Sequence, residues 1–426
     1  MNKRNYNGCI RLKGDVHTLS LPLVKVNEKP SSIWRNQSFL VLLSSTFLLS
    51  IANRIYELLL PLILYELTYS SVVVTTMRTA ELLPNLLFGI FIGVIVDRVN
   101  KKKMALWSIG LQTGLLLCLA YLLKIESSWL PAFYVIGFML MTCNYGYFNA
   151  QIGLVKANIP TEYLNSANAK FSFIETFINV MGPVLSGLIL LLPLFYEGVL
   201  ITACTYFLCL LILSRLSNKT EEPRPVRSGF FEDLEEGWIA FKQNRALWIM
   251  TIFIMLLNST FTVVQTTILI FAKEDLGLSS AEVAAVISAA GIGGMIGSLF
   301  INRLRQTWGL GLMFGVSAIF HAASYLLMYF SENRYTLIIA LLISGIATSF
   351  YSVCAYTFRL EQTTPELIGR ISGITGTFFR IGMPVTVYLS GGAIQQWGSA
   401  PIFLVTALLN ILIFLVYRVT PLWKLK

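Results

Sequence analysis

The sequence predicts an all-α polytopic membrane protein, with twelve transmembrane helices in two six-helix pseudo-symmetric bundles. Three observations predict it. Of 426 residues, 55% are hydrophobic and 13% charged, and mean hydropathy is +0.69. Soluble domains carry about 25% charged residues, so this chain lacks the charge to coat a water-facing surface. Apolar runs long enough to cross a bilayer as helices recur along its length. Landmarks of the first half return 205 residues later. An ordinary soluble enzyme, a disordered chain and a coiled coil are excluded. So is a transmembrane barrel, which alternates in roughly ten-residue segments.

The polar segment 1–35 carries Lys3, Arg4, Arg11, Lys13, Lys25 and Lys29, and no apolar h-region precedes the first span, so no cleaved signal peptide is expected. The N-terminal bundle, 36–215, holds spans at 38–65, 72–96, 104–123, 130–152, 168–192 and 198–215. The longest connection, 216–246, opens with a linker-like stretch from Asn218 to Arg227. Its amphipathic segment Phe230–Phe241 is expected to lie on the bilayer surface. The C-terminal bundle, 247–420, holds spans at 247–272, 281–301, 310–330, 335–357, 370–395 and 400–418, and 421–426 is a short tail.

Loop charge sets the orientation. Of 32 lysines and arginines, 26 fall on the side that carries both termini and 3 (Lys124, Lys273, Arg334) on the other. The remaining 3 (Arg54, Arg78, Arg380) lie within spans. The positive-inside rule places both termini in the cytoplasm, and a missed or extra span would scramble the asymmetry. The net charge of +10 is thus spread over seven segments, and no nucleic-acid partner is expected. Five of the six cysteines sit in apolar runs at irregular spacing, and His17 and His321 are the only histidines, so neither a disulfide framework nor a metal centre is suggested. No Walker A motif or catalytic triad occurs, so neither a cofactor nor enzymatic activity is expected.

The two halves repeat. Asp97-Arg98 after span 2 lies 205 residues before Asn302-Arg303 after span 8, and Pro160 lies 205 before Pro365. Span 5 carries Gly182-Pro183 where span 11 carries Gly382-Met383-Pro384. Two parallel six-span bundles permit a midplane site between rocking halves.

Residues 93–103 read Gly-Val-Ile-Val-Asp-Arg-Val-Asn-Lys-Lys-Lys. This resembles the loop 2–3 signature of the major facilitator superfamily, Gly-x-x-x-Asp-Arg-x-Gly-Arg-Arg/Lys, at Gly93, Asp97, Arg98, Lys101 and Lys102. Asn100 replaces the second glycine and is the residue that best tolerates a left-handed turn in its stead. Ala167-Asn168, Gly182-Pro183-x-x-x-Gly187, the Gly237-Trp238 loop helix and Pro365-Glu-x-x-Gly369-Arg370 are similar to the drug:proton antiporter branch, in the part resembling macrolide-efflux proteins. The resemblance implies the major facilitator fold and proton-coupled export by alternating access from a bacterial cell membrane. It also implies that Gly93 to Lys102 latch the cytoplasmic side shut in the outward-open state. A plain topogenic loop, with its lysines on anionic headgroups, is the other reading.

Charges at bilayer depth cost roughly 2.5–3.5 kcal/mol each, so those present point to mechanism. Arg54 and Glu57 lie three apart in span 1, as do Arg78 and Glu81 in span 2, each pair on one helix face. The index sum is the same for Arg54 with Glu81 and for Glu57 with Arg78. A tight hairpin therefore sets those residues level, in the outer half of the membrane. Either Glu57 or Glu81 is the protonatable carboxylate, or the four form a structural quartet, since a carboxylate beside arginine resists protonation until the pair separates. Glu175 and Arg380 are also 205 apart, and read either as an inner gate or as residues paired within their own halves. Asn53, Asn144, Tyr147, Asn149, Asn179, Asn258 and Gln265 line the expected cavity or bond between helices.

The expected function is export of amphipathic, drug- or antibiotic-like small molecules by proton antiport. The alternative is a dedicated exporter of an endogenous metabolite, siderophore, peptide or lipid. The expected partners are that substrate, protons and the bilayer, and the expected state is a monomer.

Overall fold

The computed structural model describes residues 33–189, 194–217, 230–363 and 367–425, and these are helical with no strand among them. In the first bundle, α1 (Gln37–Thr68), α2 (Ser71–Arg98), α3 (Lys101–Lys124), α4 (Leu130–Asn158), α5 (Thr161–Ile189) and α6 (Phe195–Ser214) follow the six spans. The amphipathic helix is α7 (Phe230–Gln243). In the second bundle come α8 (Arg245–Glu274), α9 (Ser280–Tyr329), α10 (Arg334–Glu361), α11 (Ile368–Phe378), α12 (Met383–Trp397) and α13 (Ala400–Arg418). Twelve spans result, because α9 is two spans run together and α11 with α12 is one span broken in two.

Both irregularities have local causes. Within α9, Gly309 sits at φ 77° and ψ 166°, a backbone that favours glycine, and there the chain turns between spans 8 and 9. Span 11 breaks ahead of Pro384, which has no N–H to give the Arg380 carbonyl and sits in the first turn of α12, where that loss is tolerated. The Met383 N–H bonds the Arg380 carbonyl at 3.2 Å, three residues back instead of four, and so leaves the Phe379 carbonyl without its helical donor.

Asparagines start four helices. The side chains of Asn36, Asn100, Asn244 and Asn333 each accept a backbone N–H of the following turn. Asn100 is extended, at φ −64°. It serves as the N-cap of α3, so its place in the loop signature comes from capping and not from tolerance of a left-handed turn.

The face bearing loop 2–3 and the linker is the basic face; the opposite one is the far face. Among the described residues there are three apolar cores. One belongs to the first bundle and includes Phe39, Leu49, Ala105 and Tyr206. A second joins the bundles near the far face, where Leu62, Tyr65 and Val74 pack with Phe271, Val387 and Phe403. The third lies in the basic-face half of the second bundle, around Phe241, Met313 and Tyr417.

The amphipathic helix departs from expectation. Trp238 and Phe241 seat on the second bundle, Ile239 is exposed, and the side-chain surroundings of Phe230, Phe231 and Leu234 lie outside the described residues. Trp238 stacks on Phe378, with ring centroids 5.9 Å apart at 17°, and Phe241, fully buried, meets Trp248 edge-on at 5.1 Å. Among the described residues its aromatic partners lie on α8 and α11, so the helix is tied to the start of span 7 and to the first half of span 11. Phe241→Ala is expected to destabilise the second bundle by about 3–5 kcal/mol, read as a lower thermal unfolding midpoint in lipid nanodiscs. The chain end folds back as well: a 3-10 turn, Pro421–Lys424, brings the Leu425 carbonyl to the Gly311 N–H at 3.0 Å.

Candidate translocation site

The four charges of spans 1 and 2 form two ion pairs. Arg54 Nη1 meets Glu57 Oε2 at 2.7 Å, and Arg78 Nη1 meets Glu81 Oε2 at 3.0 Å. A spacing of three lets each helix close its own pair, so the bridges run along the helices and not across the hairpin. The Glu57 charge still reaches Arg78 and Glu81, which makes the four one electrostatic group. Burial separates the two pairs. The Arg54 side chain is 45% exposed and the Glu81 side chain 1%. Tyr56 lies beside Glu81, yet the Tyr56 hydroxyl and Glu81 Oε1 are each buried without a hydrogen bond of good geometry.

Glu175 is exposed and sits within reach of the Arg54 charge, in its own bundle. Arg380 crosses to the other bundle. Its Nη1 lies 3.4 Å from Asn85 Oδ1 on α2, and its guanidinium 6.0 Å from the Tyr145 ring on α4. A Glu175–Arg380 gate is thus not closed in this conformation.

The asparagines reveal the repeat at atomic scale. Asn53 donates to Asn144 Oδ1 at 3.1 Å and accepts from the Tyr206 hydroxyl. Asn258, 205 residues later, donates to the orphaned Phe379 carbonyl at 3.0 Å and accepts from the Tyr351 hydroxyl at 2.7 Å. Spans 1, 4 and 6 are thereby tied together as spans 7, 10 and 11 are, and Asn410 of α13 adds a bond to Thr260 at 3.0 Å. Asn53, Asn144 and Asn258 therefore spend their polar groups on holding helices. Asn149 bonds the Tyr145 carbonyl of its own helix at 2.8 Å. The Tyr147 hydroxyl is buried and lacks a partner, and Gln265 is the exposed residue in an otherwise buried stretch of α8. The side-chain surroundings of Asn179, Gly93, Asp97 and Arg98 lie outside the described residues.

Two lysines of the loop signature are placed. Lys102 Nζ donates to the Leu216 carbonyl, just past the end of α6, at 2.6 Å, capping that helix and not reaching for a headgroup. The Lys101 stem packs on Gly153 of α4 so closely that an added Cβ would stand 2.2 Å from its Cδ.

Contacts between the bundles, among the described residues, gather toward the far face. Thr79 donates to the Pro384 carbonyl at 3.3 Å and Ser71 to that of Gly391 at 3.5 Å. Glu66 pairs with Lys273 and accepts from Ser280 at 2.9 Å. Glu66→Gln is expected to weaken this far-face clasp by up to about 1 kcal/mol, seen as roughly five-fold faster alkylation of a cysteine placed at Ser280. Arg380 reaches between the bundles on the basic side of the clasp, while Arg54 and Glu175 are exposed together in the first bundle; ionisable groups at bilayer depth face a bundle interior or water.

Two six-span bundles that meet, among the described residues, toward one face, with an arginine reaching from one to the other, have the architecture of a membrane transporter. The sequence profile of the Major Facilitator Superfamily matches residues 42–309 and 251–423. The chain belongs to this superfamily and is a transporter, not an enzyme. It is 22% identical over 385 residues to macrolide efflux protein A of Streptococcus pyogenes, covering 86% of this chain and 91% of that protein. It is 24% identical over 306 residues to the putative bacilysin exporter BacE of Bacillus subtilis, covering 68% and 72%. Among solved structures, the nucleoside transporter NupG aligns with a TM-score of 0.72 at 13% identity, over 91% of this chain and 100% of that one. An inward-facing, unoccupied bacterial homologue of the lysosomal transporter Spinster aligns at 0.71 and 14%, over 91% and 98%.

Arg359 escaped the sequence reading, which counted it among the loop charges after span 10. The helix α10 runs on to Glu361, and so takes Arg359 into its last turn. The signal available was Tyr356, three residues earlier on the same face.

Proposed function

We propose that the chain is a secondary active exporter that moves amphipathic, drug- or antibiotic-like small molecules out of a bacterial cell in exchange for protons. The clasp near the far face, with charged residues on its basic side, carries this reading. The positive-inside rule sets the basic face in the cytoplasm, so a cleft that opens on that face loads from the cell membrane or cytoplasm. The relatives named for macrolide efflux and bacilysin export support the direction.

Coupling rests on the two ion pairs. Protonation of Glu57 or Glu81 frees its arginine and changes the balance between the two states, which differ in hydration at that depth. When the far face opens, the loop Gly93–Lys102 latches the basic face, with Asp97 accepting from the N-terminus of span 11 near Gly369–Ser372. The protein works as a monomer.

The test is uptake of a panel of amphipathic cationic, neutral and anionic drugs into inverted vesicles with an imposed pH gradient. Wild type accumulates substrate. Glu57→Gln or Glu81→Gln loses gradient-driven accumulation by about ten-fold or more while keeping downhill exchange, as expected when a protonatable group is removed. A panel that never responds to the gradient contradicts the reading. The BacE relationship favours a second reading, a dedicated exporter of a cell-made peptide antibiotic; the same vesicles loaded with a peptide panel test it.

A further inference from the structure

We propose that Arg359 and Arg380 form a subsite for the anionic group of an aromatic substrate. The inference deepens the transport reading and names part of the chemistry its cargo carries.

The Arg359 guanidinium lies 5.7 Å from the Tyr356 ring and 5.9 Å from the Phe379 ring. Its Nε is buried and has no hydrogen-bond partner, and its charge reaches Arg380. The contacts of Arg380 itself, Asn85 and Tyr145, are neutral. Among the described residues no carboxylate pairs with either arginine. Glu361 is two residues further along α10, about 200° around the helix. Glu81, one turn from Asn85 on α2, is taken by Arg78, and Glu57 by Arg54.

Two guanidiniums held within reach of each other repel, and partial burial strengthens that repulsion. An anion between them removes the cost and fills the open donor positions. The planar fork of arginine suits a carboxylate or phosphate in two-point contact. Tyr356 is 58% exposed and offers a ring face beside the charge, so the body of the ligand is aromatic. Arg380 touches α2 and α4 of the other bundle, so an anion held there reports to both halves.

The test compares dansyl-phenylalanine, an aromatic carboxylate, with its neutral amide, by equilibrium dialysis against the full chain in phosphatidylcholine nanodiscs. Wild type is expected to bind the carboxylate about ten-fold more tightly than the amide. Arg359→Gln and Arg380→Gln should each bring the two probes within about two-fold, and Arg359→Lys should keep most of the preference. Unchanged amide binding shows that the variants remain folded. Equal binding of the two probes by wild type, no binding of the carboxylate, or a preference that survives both glutamine substitutions overturns the proposal. Loss of the preference when phosphatidylglycerol is added also overturns it, by assigning the arginines to a lipid headgroup. Dialysis needs no gradient, so a protein that shows this preference without pH-driven flux fails the exchange reading alone.

Discussion

Leucine in place of Gly391 is expected to hold the bundles apart near the far face and abolish transport. A Cβ at Gly391 would stand 1.9 Å from Thr75 Oγ1 and 3.0 Å from its Cβ. Thr75 cannot swing away, because it is fully buried and its hydroxyl is bonded to the Ser71 and Val72 carbonyls. Overpacking of this kind costs about 1–3 kcal/mol. Between two states of similar energy, that is a shift in population of roughly five- to 150-fold. Far-face alkylation of a cysteine at Ser280 should rise accordingly, and substrate flux should fall to background. Thr75→Gly combined with Gly391→Ala restores the space and should recover closure. Normal flux in the leucine variant would show that this contact does not form during the cycle.

Arg78→Met is expected to destabilise the protein by about 3–5 kcal/mol, the usual cost of leaving one partner of a buried pair uncompensated. Glu81 would be left with its carboxylate enclosed and neither oxygen bonded, since Oε1 already lacks a partner. The double variant Arg78→Met/Glu81→Gln should recover most of the loss. Arg54→Met should cost no more than about 1 kcal/mol, because that pair is open to water. Thermal unfolding in nanodiscs ranks the three. Equal losses for Arg54→Met and Arg78→Met would mean that burial does not distinguish the pairs.

The spans were legible in the sequence because apolar length and the basic-loop asymmetry are one-dimensional quantities. The break in span 11 was legible in part, since Gly382-Met383-Pro384 marks its place, but its consequence was not. The freed Phe379 carbonyl, and Asn258 reaching it, depend on how span 7 is rotated. Rotation also decided that Arg54 bonds Glu57 and not Glu81, because a constant index sum fixes height and leaves azimuth open. The 205-residue offset between Asn53 and Asn258 stood in the sequence, yet an offset between two asparagines carries weight only once both are seen bonding across helices. The docking of α7 was hidden for a related reason. An apolar helix face suits a bilayer surface and a bundle equally well, and the aromatic socket of Trp248 and Phe378 exists only after folding. Arg359 was placed in a loop because it follows the end of the apolar run near residue 357, whereas an arginine past that end can continue the helix and lay its side chain over a ring.

Rocking of the bundles about the central cleft is tested most directly by paired distances in nanodiscs. In a variant lacking the six native cysteines, spin labels at Tyr69 and Trp397 report the far face, and labels at Phe173 and Leu299 report the basic face. All four positions are more than 60% exposed. On lowering the pH, the far-face distance should lengthen while the basic-face distance shortens in the same population. Two distances that change together, or neither changing with pH or with any transported compound, would contradict the account.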